Sequence, residues 1–335
     1  MTEAGITVAI VGAASELGRE VQTVLDQRGV VVSNWRLYDT TKEGDSIDLD
    51  TLPADLLPED QAELDGVDLV FICAPAAAAR EWAVRGSDAG ALVIDVSTGL
   101  TDADATLVVP EVNADAVEES DGRSVFACPV PGATALAVVL KPIDEAVGLK
   151  RVVVTALEPA SYFGTPGVDE LAQQSRELLT GQSVESKVFA QRIAFNLIPE
   201  VGDAAVGGRT RGEWAIESQT RRLLDLADLP IAVTSVHVPT FYGQAYVVSV
   251  ETERPFDAVA ADALLRQAPG VLLNEAAGAP TLADVVGSEA TLIGRLRDDP
   301  TVPYGIALWV LIDGLRKGAA VNAVQIAERA LRERG

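Results

Sequence analysis

The stretch from Ile6 to Gly18 constrains this chain more than any other part of it. Residues 6–11 are a short, largely β-branched apolar run that leads into Gly12, and residues 16–28 follow with Leu17, Val21, Val24 and Leu25 at helical spacing. A buried strand, a small-residue turn and an amphipathic helix in direct succession open a right-handed βαβ unit. Further strand-like runs at 30–38, 68–74, 92–96 and 106–109, with a helix at 81–89, continue the alternation. The pattern predicts a doubly wound parallel sheet over residues 1–131.

The pattern changes near residue 132. Residues 133–140 read as a helix that ends around Pro142. Strand-like runs at 151–157, 232–239 and 245–251 alternate with helices at 171–179 and 217–226. Residues 132–314 are therefore expected to form a second α+β domain with a mixed sheet. Residues 315–335 read as one helix with Ala319, Val324, Ala327 and Leu331 on its apolar face.

The net charge of −24 opposes binding to nucleic acid or to an anionic membrane, since both require a basic surface. No apolar run is long enough for a membrane span. Two cysteines cannot make a disulfide framework, and Met1-Thr2-Glu3-Ala4-Gly5 lacks the basic and apolar regions of a signal peptide. The expectation is a cytoplasmic protein with no nucleic-acid or membrane partner. His237 is the only histidine, so no metal site is expected.

Gly12-Ala13-Ala14-Ser15-Glu16-Leu17-Gly18 follows a strand and opens a helix, the context of a phosphate-cradling turn. Gly12 permits the tight turn and Gly18 close helix–strand packing, whereas the middle glycine of G-x-G-x-x-G is absent. Asp39 closes the second strand, where a carboxylate accepts from a ribose 2′-hydroxyl. Asp39 would repel a 2′-phosphate unless Arg36 or Lys42 compensated, which favours NAD over NADP. A plain βα turn and a solvated loop carboxylate are the alternatives.

Several segments together resemble the aspartate-semialdehyde dehydrogenase family. Gly12–Gly18 resembles its GATGxVG loop, and residues 93–98, Val-Ile-Asp-Val-Ser-Thr, its VIDNSS segment. Residues 108–113 match its VVPEVN, 140–142 its LKP, 191–199 its IAFNxIP segment and 316–328 its RKGAAxNAVQIAE. The chain looks most like the divergent Usg-like branch. The resemblance implies a Rossmann-type domain, a dimerisation and catalytic domain, a C-terminal helix returning to the first domain, and a homodimer through the second domain's sheet. It also implies NAD or NADP as cofactor, with Ser97 joining Asp39 and the turn residues as a cofactor-binding candidate. The family reduces aspartyl phosphate through a thioester on a cysteine.

The residues that the resemblance makes responsible for this chemistry are replaced. The nucleophile of N-P-x-C falls on Pro131, and Cys128 takes the asparagine position, leaving Cys128 as the candidate thiol. In the R-x-P-x-x-x-G-H segment, His237 stands for the carboxylate-binding arginine and Gln244 for the histidine base. An amide cannot take up a proton near neutral pH, and a neutral imidazole offers no bidentate fork. If both lay on one regular strand, His237 and Gln244 would face opposite sides. Thr101 and Ala215 stand where the family has an arginine and a lysine that bind phosphate. Glu158 replaces a glutamine, and Glu213 keeps the acidic position that meets an amino group. Glu158, Glu213 and His237 are thus expected to line the substrate-type pocket. The expectation is a family member without the family's activity. The alternatives are an oxidoreductase of altered chemistry and a structural partner in mixed dimers.

Overall fold

The computed structural model describes residues 5–39, 46–48, 53–101, 103–119, 124–273 and 278–334. The chain divides into two compact units, Met1–Pro129 with Ala319–Gly335, and Val130–Gly318.

The first unit runs β1 (Ile6–Val11), α1 (Glu16–Gln27), β2 (Val32–Asp39), β3 (Ser46–Asp48), β4 (Pro53–Pro58), β5 (Leu69–Ile72), α2 (Ala79–Asp88), β6 (Leu92–Asp95), β7 (Thr106–Leu107), α3 (Pro110–Asn113), α4 (Asp115–Glu118) and β8 (Val125–Ala127). Its eight-stranded sheet has the order β3-β4-β2-β1-β5-β6-β8-β7. Every pairing is parallel except β3 with β4, so the doubly wound parallel sheet is present. β1, β5 and β6 are apolar on both faces because each face is covered, one by a core containing Val21, Val24 and Leu25 of α1 and the other by Trp82 and Ala83 of α2.

The second unit runs α5 (Pro131–Val147), β9 (Leu149–Glu158), α6 (Gly164–Leu179), α7 (Arg211–Leu224), β10 (Ile231–His237), β11 (Gln244–Thr252), α8 (Ala258–Leu265), β12 (Val271–Leu273), α9 (Leu282–Val285), β13 (Thr291–Asp298) and β14 (Gly305–Ile312). The sheet order is β10-β9-β11-β14-β13-β12, with parallel outer pairs and antiparallel inner ones, the mixed sheet expected. Every second residue of β9, from Val152 to Glu158, is buried, and this face is covered by α5 and α7. The helix expected to stop near Pro142 instead continues through it to Val147. Proline removes one backbone bond and crowds the preceding turn, at a cost of about 3 kcal/mol. Burial of Leu136, Val139, Leu140 and Ile143 on the same helix exceeds that cost.

Residues 315–335 do not form one uniform helix. The Asp313 carboxylate accepts the N–H groups of Leu315 and Arg316, and the Gly318 N–H reaches the Asp313 carbonyl. A wide π-type turn results at Arg316–Val321, and only then does α10 (Asn322–Arg334) begin. Val324, Ile326 and Ala327 of α10 enter the core of the first unit, and an Arg28–Glu328 fork at 2.9 and 2.8 Å ties it to α1.

Candidate functional site

In the first unit the turn after β1 is closed by its own backbone. Gly12 has φ +78°, and a Cβ there would lie 2.7 Å from the backbone of Cys73 and Ala74. A Cβ on Gly18 would lie 2.4 Å from the Gly12 carbonyl. Both glycines are therefore demanded by the approach of β1, β5 and α1. The Gly12 and Ala13 N–H groups donate to the Tyr38 carbonyl, and the Ser15 hydroxyl caps α1 by accepting from Gly18 N–H at 3.0 Å. Glu16 and Leu17 form the first turn of α1, whose N-terminal backbone N–H groups could receive an anion.

Asp39 is buried, and its Oδ2 accepts the Ala14 N–H at 3.1 Å. It is thus not a solvated loop carboxylate but a group fixed against the turn. Arg36 points elsewhere, donating to the Glu63 carbonyl at 2.6 Å, and Lys42 lies outside the described residues. A strand–turn–helix with a carboxylate ending the second strand could hold a dinucleotide. The Ser97 hydroxyl donates to Asp95 at 2.6 Å and accepts from the Gly99 N–H, so it shapes the loop after β6. In that loop Thr98 is held at φ +60°, a costly conformation for a β-branched residue.

Cys128 is buried, and its side chain joins Cys73 and Phe126 in the core of the first unit. Burial raises the Cys73 thiol well above its ordinary pKa, and the neighbouring Cys128 and Asp95 add to this.

In the second unit the β9 registers bring together three of the sequence candidates. His237 on β10 pairs directly with Glu158. On the other side of β9, Ala245 pairs with Leu157, which brings Gln244 opposite Glu158. Gln244 Nε2 donates to Glu158 Oε2 at 2.6 Å. Glu158, His237 and Gln244 therefore share the helix-covered face. The opposite-face expectation for His237 and Gln244 fails because the segment 238–243, with Gly243 at φ +80°, separates two strands that flank β9.

Burial raises the Glu158 carboxyl from its ordinary 4.5 to about 7, only partly offset by the Gln244 bond. His237 is enclosed by Tyr162, Phe163 and Phe189, with ring centres 5.2, 5.3 and 5.2 Å away. Neither ring nitrogen has a hydrogen-bond partner among the described residues, and burial lowers its pKa from 6.5 to about 4. The nearby Glu158 carbonyl, which also accepts the Val238 N–H at 2.9 Å, offsets part of this.

Glu213 does not point into the pocket. Its Oε2 accepts the Thr210 N–H in a capping box at the start of α7, and its Oε1 accepts the Ser235 N–H of β10. Its carboxylate joins a helix end to an edge strand.

Pro131 is the first residue of α5 and lacks an N–H to donate. The preceding Val130 N–H is taken by Gln219 Oε1 at 2.7 Å. Gly318 packs on the proline so closely that a Cβ there would lie 2.6 Å from the Pro131 Cβ. This helix start thus offers an anion few donors.

The chain matches the family models for the semialdehyde dehydrogenase NAD-binding domain over residues 7–120 and the semialdehyde dehydrogenase dimerisation domain over residues 140–317. It is 36% identical over 329 residues to aspartate-semialdehyde dehydrogenase 2 of Vibrio cholerae, covering 97% of this chain and 98% of that one. A crystal structure of aspartate semialdehyde dehydrogenase II from Vibrio cholerae complexed with ASA superposes with a TM-score of 0.95, at 36% identity and covering 98% of this chain and 99% of that one. The USG-1 protein homolog of Azotobacter vinelandii is 33% identical over 330 residues, 98% of each chain. The chain belongs to the aspartate-semialdehyde dehydrogenase family, with a Usg-like relative at nearly the same identity.

Proposed function

We propose that this chain is a dinucleotide-binding homodimer of its family that does not catalyse the thioester reaction on aspartyl phosphate. The observation that carries the reading is the start of α5. Pro131 offers neither a nucleophile nor an N–H where the family's cysteine stands. Gln244, in the base position, aims its amide at Glu158 and cannot take a proton near neutral pH. His237, neutral above about pH 4, cannot replace a guanidinium fork. Cys128 does not fill the gap, because its thiol is buried in the apolar core of the first unit, where burial opposes the thiolate. The match to a dimerisation domain supports the homodimer, as do the apolar side chains left exposed on this unit's sheet, Val247 and Leu272.

The decisive assay supplies purified protein with aspartate semialdehyde, phosphate and NAD+ or NADP+ and follows reduced cofactor. No turnover above the uncatalysed rate is expected. A kcat of about 1 s−1 or more, within the ordinary enzyme range, would overturn the reading.

The first unit supports a role for NAD. A bound nicotinamide would supply a hydride acceptor, while Asp39 and the Gly12 turn hold the adenosine half. NAD+ is expected to raise the melting temperature more than NADP+, since ligand binding to the folded state stabilises by about 2.7 kcal/mol at 100 Kd. Asp39→Asn keeps an acceptor for the Ala14 N–H but removes the charge, so it should narrow the difference between the two cofactors. Equal shifts in the unaltered protein would remove Asp39 from cofactor choice.

A further inference from the structure

We infer that Glu158, Gln244 Oε1 and the Tyr246 hydroxyl form a subsite for the primary ammonium group of a small ligand. This rests on the reading that the pocket no longer serves an acyl phosphate, and it names the class of ligand taken instead. Gln244 gives its Nε2 to Glu158, which leaves its Oε1 buried without a donor. The Tyr246 hydroxyl, two residues along the same face of β11, is fully buried and also without a partner. It lies beside the start of α5, 3.0 Å from where a Cβ on Gly132 would stand. A bound donor would satisfy both of these buried atoms.

The open positions are chiefly acceptors, and an ammonium brings three donors and no acceptor. Burial and the Gln244 bond are the influences that set the Glu158 pKa, with no cationic side chain among them in the described residues. Glu213, the other acidic candidate, has both oxygens bound to backbone N–H groups. The start of α5 repels a cation less than most helix starts, because Pro131 has no N–H and the Val130 N–H is taken. Tyr162, which interacts electrostatically with Glu158 and Tyr246, is exposed with Phe241 on two loops joined by bonds from Ala160 N–H to the Thr240 carbonyl and from Ser161 N–H to the Phe241 carbonyl. The ligand class is a primary amine on a short apolar stem.

The test is calorimetric titration of the full chain with n-butylammonium, n-butyrate and n-butanol from about pH 5.5 to about pH 8.5. Ammonium binding requires the ionised carboxyl, which is the minor form below about pH 7. The Kd for n-butylammonium should therefore fall about tenfold per pH unit up to about pH 7 and then level off. At about pH 6 binding should release close to one proton, read from buffers of different ionisation enthalpy. Glu158→Gln should lose this binding, and Tyr246→Phe should weaken it several-fold. A Kd for n-butylammonium that does not change below pH 7 overturns the inference, as does equal or tighter binding of butyrate or butanol. The pH profile needs no variant, so it decides the matter even where Glu158→Gln fails to fold. Absence of turnover with a flat profile overturns the ammonium subsite alone; turnover of aspartate semialdehyde overturns the proposed function.

Discussion

Glu158→Gln should gain about 3 kcal/mol of stability relative to the unaltered protein as pH rises from 4.5 to about 7, and His237→Gln should lose about as much as pH rises from 4 to 6.5. Unfolded Glu158 ionises at 4.5 whereas the folded carboxyl holds its proton to about 7. Between those values the folded state carries the extra proton, so this group's contribution falls as pH rises. His237 behaves in the opposite way. The unfolded imidazole takes a proton below 6.5 and the folded one only below about 4, so its contribution is present above 6.5 and is lost as pH falls toward 4. Both side chains are buried, each 2% exposed, so solvent screening does not discount these shifts. Across their shared window the two contributions nearly cancel, and the unaltered protein conceals both. Urea midpoints at half-unit steps of pH would reveal them in the two variants. The general repulsion of a chain with net charge −24 is common to all three proteins and drops out of the differences. Curves that run parallel for all three would show that neither group has a perturbed pKa. His237 is the sole histidine, so its imidazole resonances report its titration directly.

Why the sequence reveals some of this and not the rest depends on how far apart the interacting groups lie in the chain. β1, the Gly12 turn and α1 are legible because their determinants are local: an apolar run, a glycine and a helical stripe. β14 is as apolar a run as β1, yet its place is set by β11 and β13, which declare themselves as its partners only in the folded sheet, where it is a central strand. Pro142 misled because a local rule for helix ends is overridden when the helix beyond the proline is buried.

The pocket divides in the same way. The replacement of cysteine by Pro131 and of histidine by Gln244 is visible in motifs that keep their spacing. The bond between Gln244 and Glu158 spans 86 residues and exists only because β9 lies between β10 and β11. Without that register, Gln244 reads simply as a lost base. With it, Gln244 is also the donor beside a buried carboxyl. Glu213 shows the reverse. Its motif suggests a ligand contact, yet its position as the third residue of a capping box assigns it to the backbone. The aromatic enclosure of His237 draws on Tyr162, Phe163 and Phe189, and no motif joins these to it.

Gly18→Ala should destabilise the protein by about 3 kcal/mol and abolish the thermal shift given by NAD+. Helix propensity argues for the opposite sign, since alanine replaces glycine inside a helix with a gain of about 1 kcal/mol. Steric overlap decides the outcome. The new methyl group would lie 2.4 Å from the Gly12 carbonyl, 2.8 Å from Ala13 Cα and 2.9 Å from the Ala13 carbonyl. All of these are backbone atoms, so no rotamer change relieves the contact, and α1 must move away from β1. That movement separates the first turn of α1 from the Gly12 turn, and on the proposed reading the N–H groups that would receive the dinucleotide phosphate are carried by that first turn. Gly29→Ala is the matched control. Gly29 follows the same helix at φ +69° with nothing within 4 Å of its Cβ position, so it should cost only the left-handed strain of about 1 kcal/mol and leave the NAD+ shift intact. A Gly18→Ala protein as stable as Gly29→Ala would show that the β1–α1 contact is looser than these distances require. A Gly18→Ala protein that is destabilised but keeps the full NAD+ shift would separate the packing role of this glycine from cofactor binding, and would place the dinucleotide away from the start of α1.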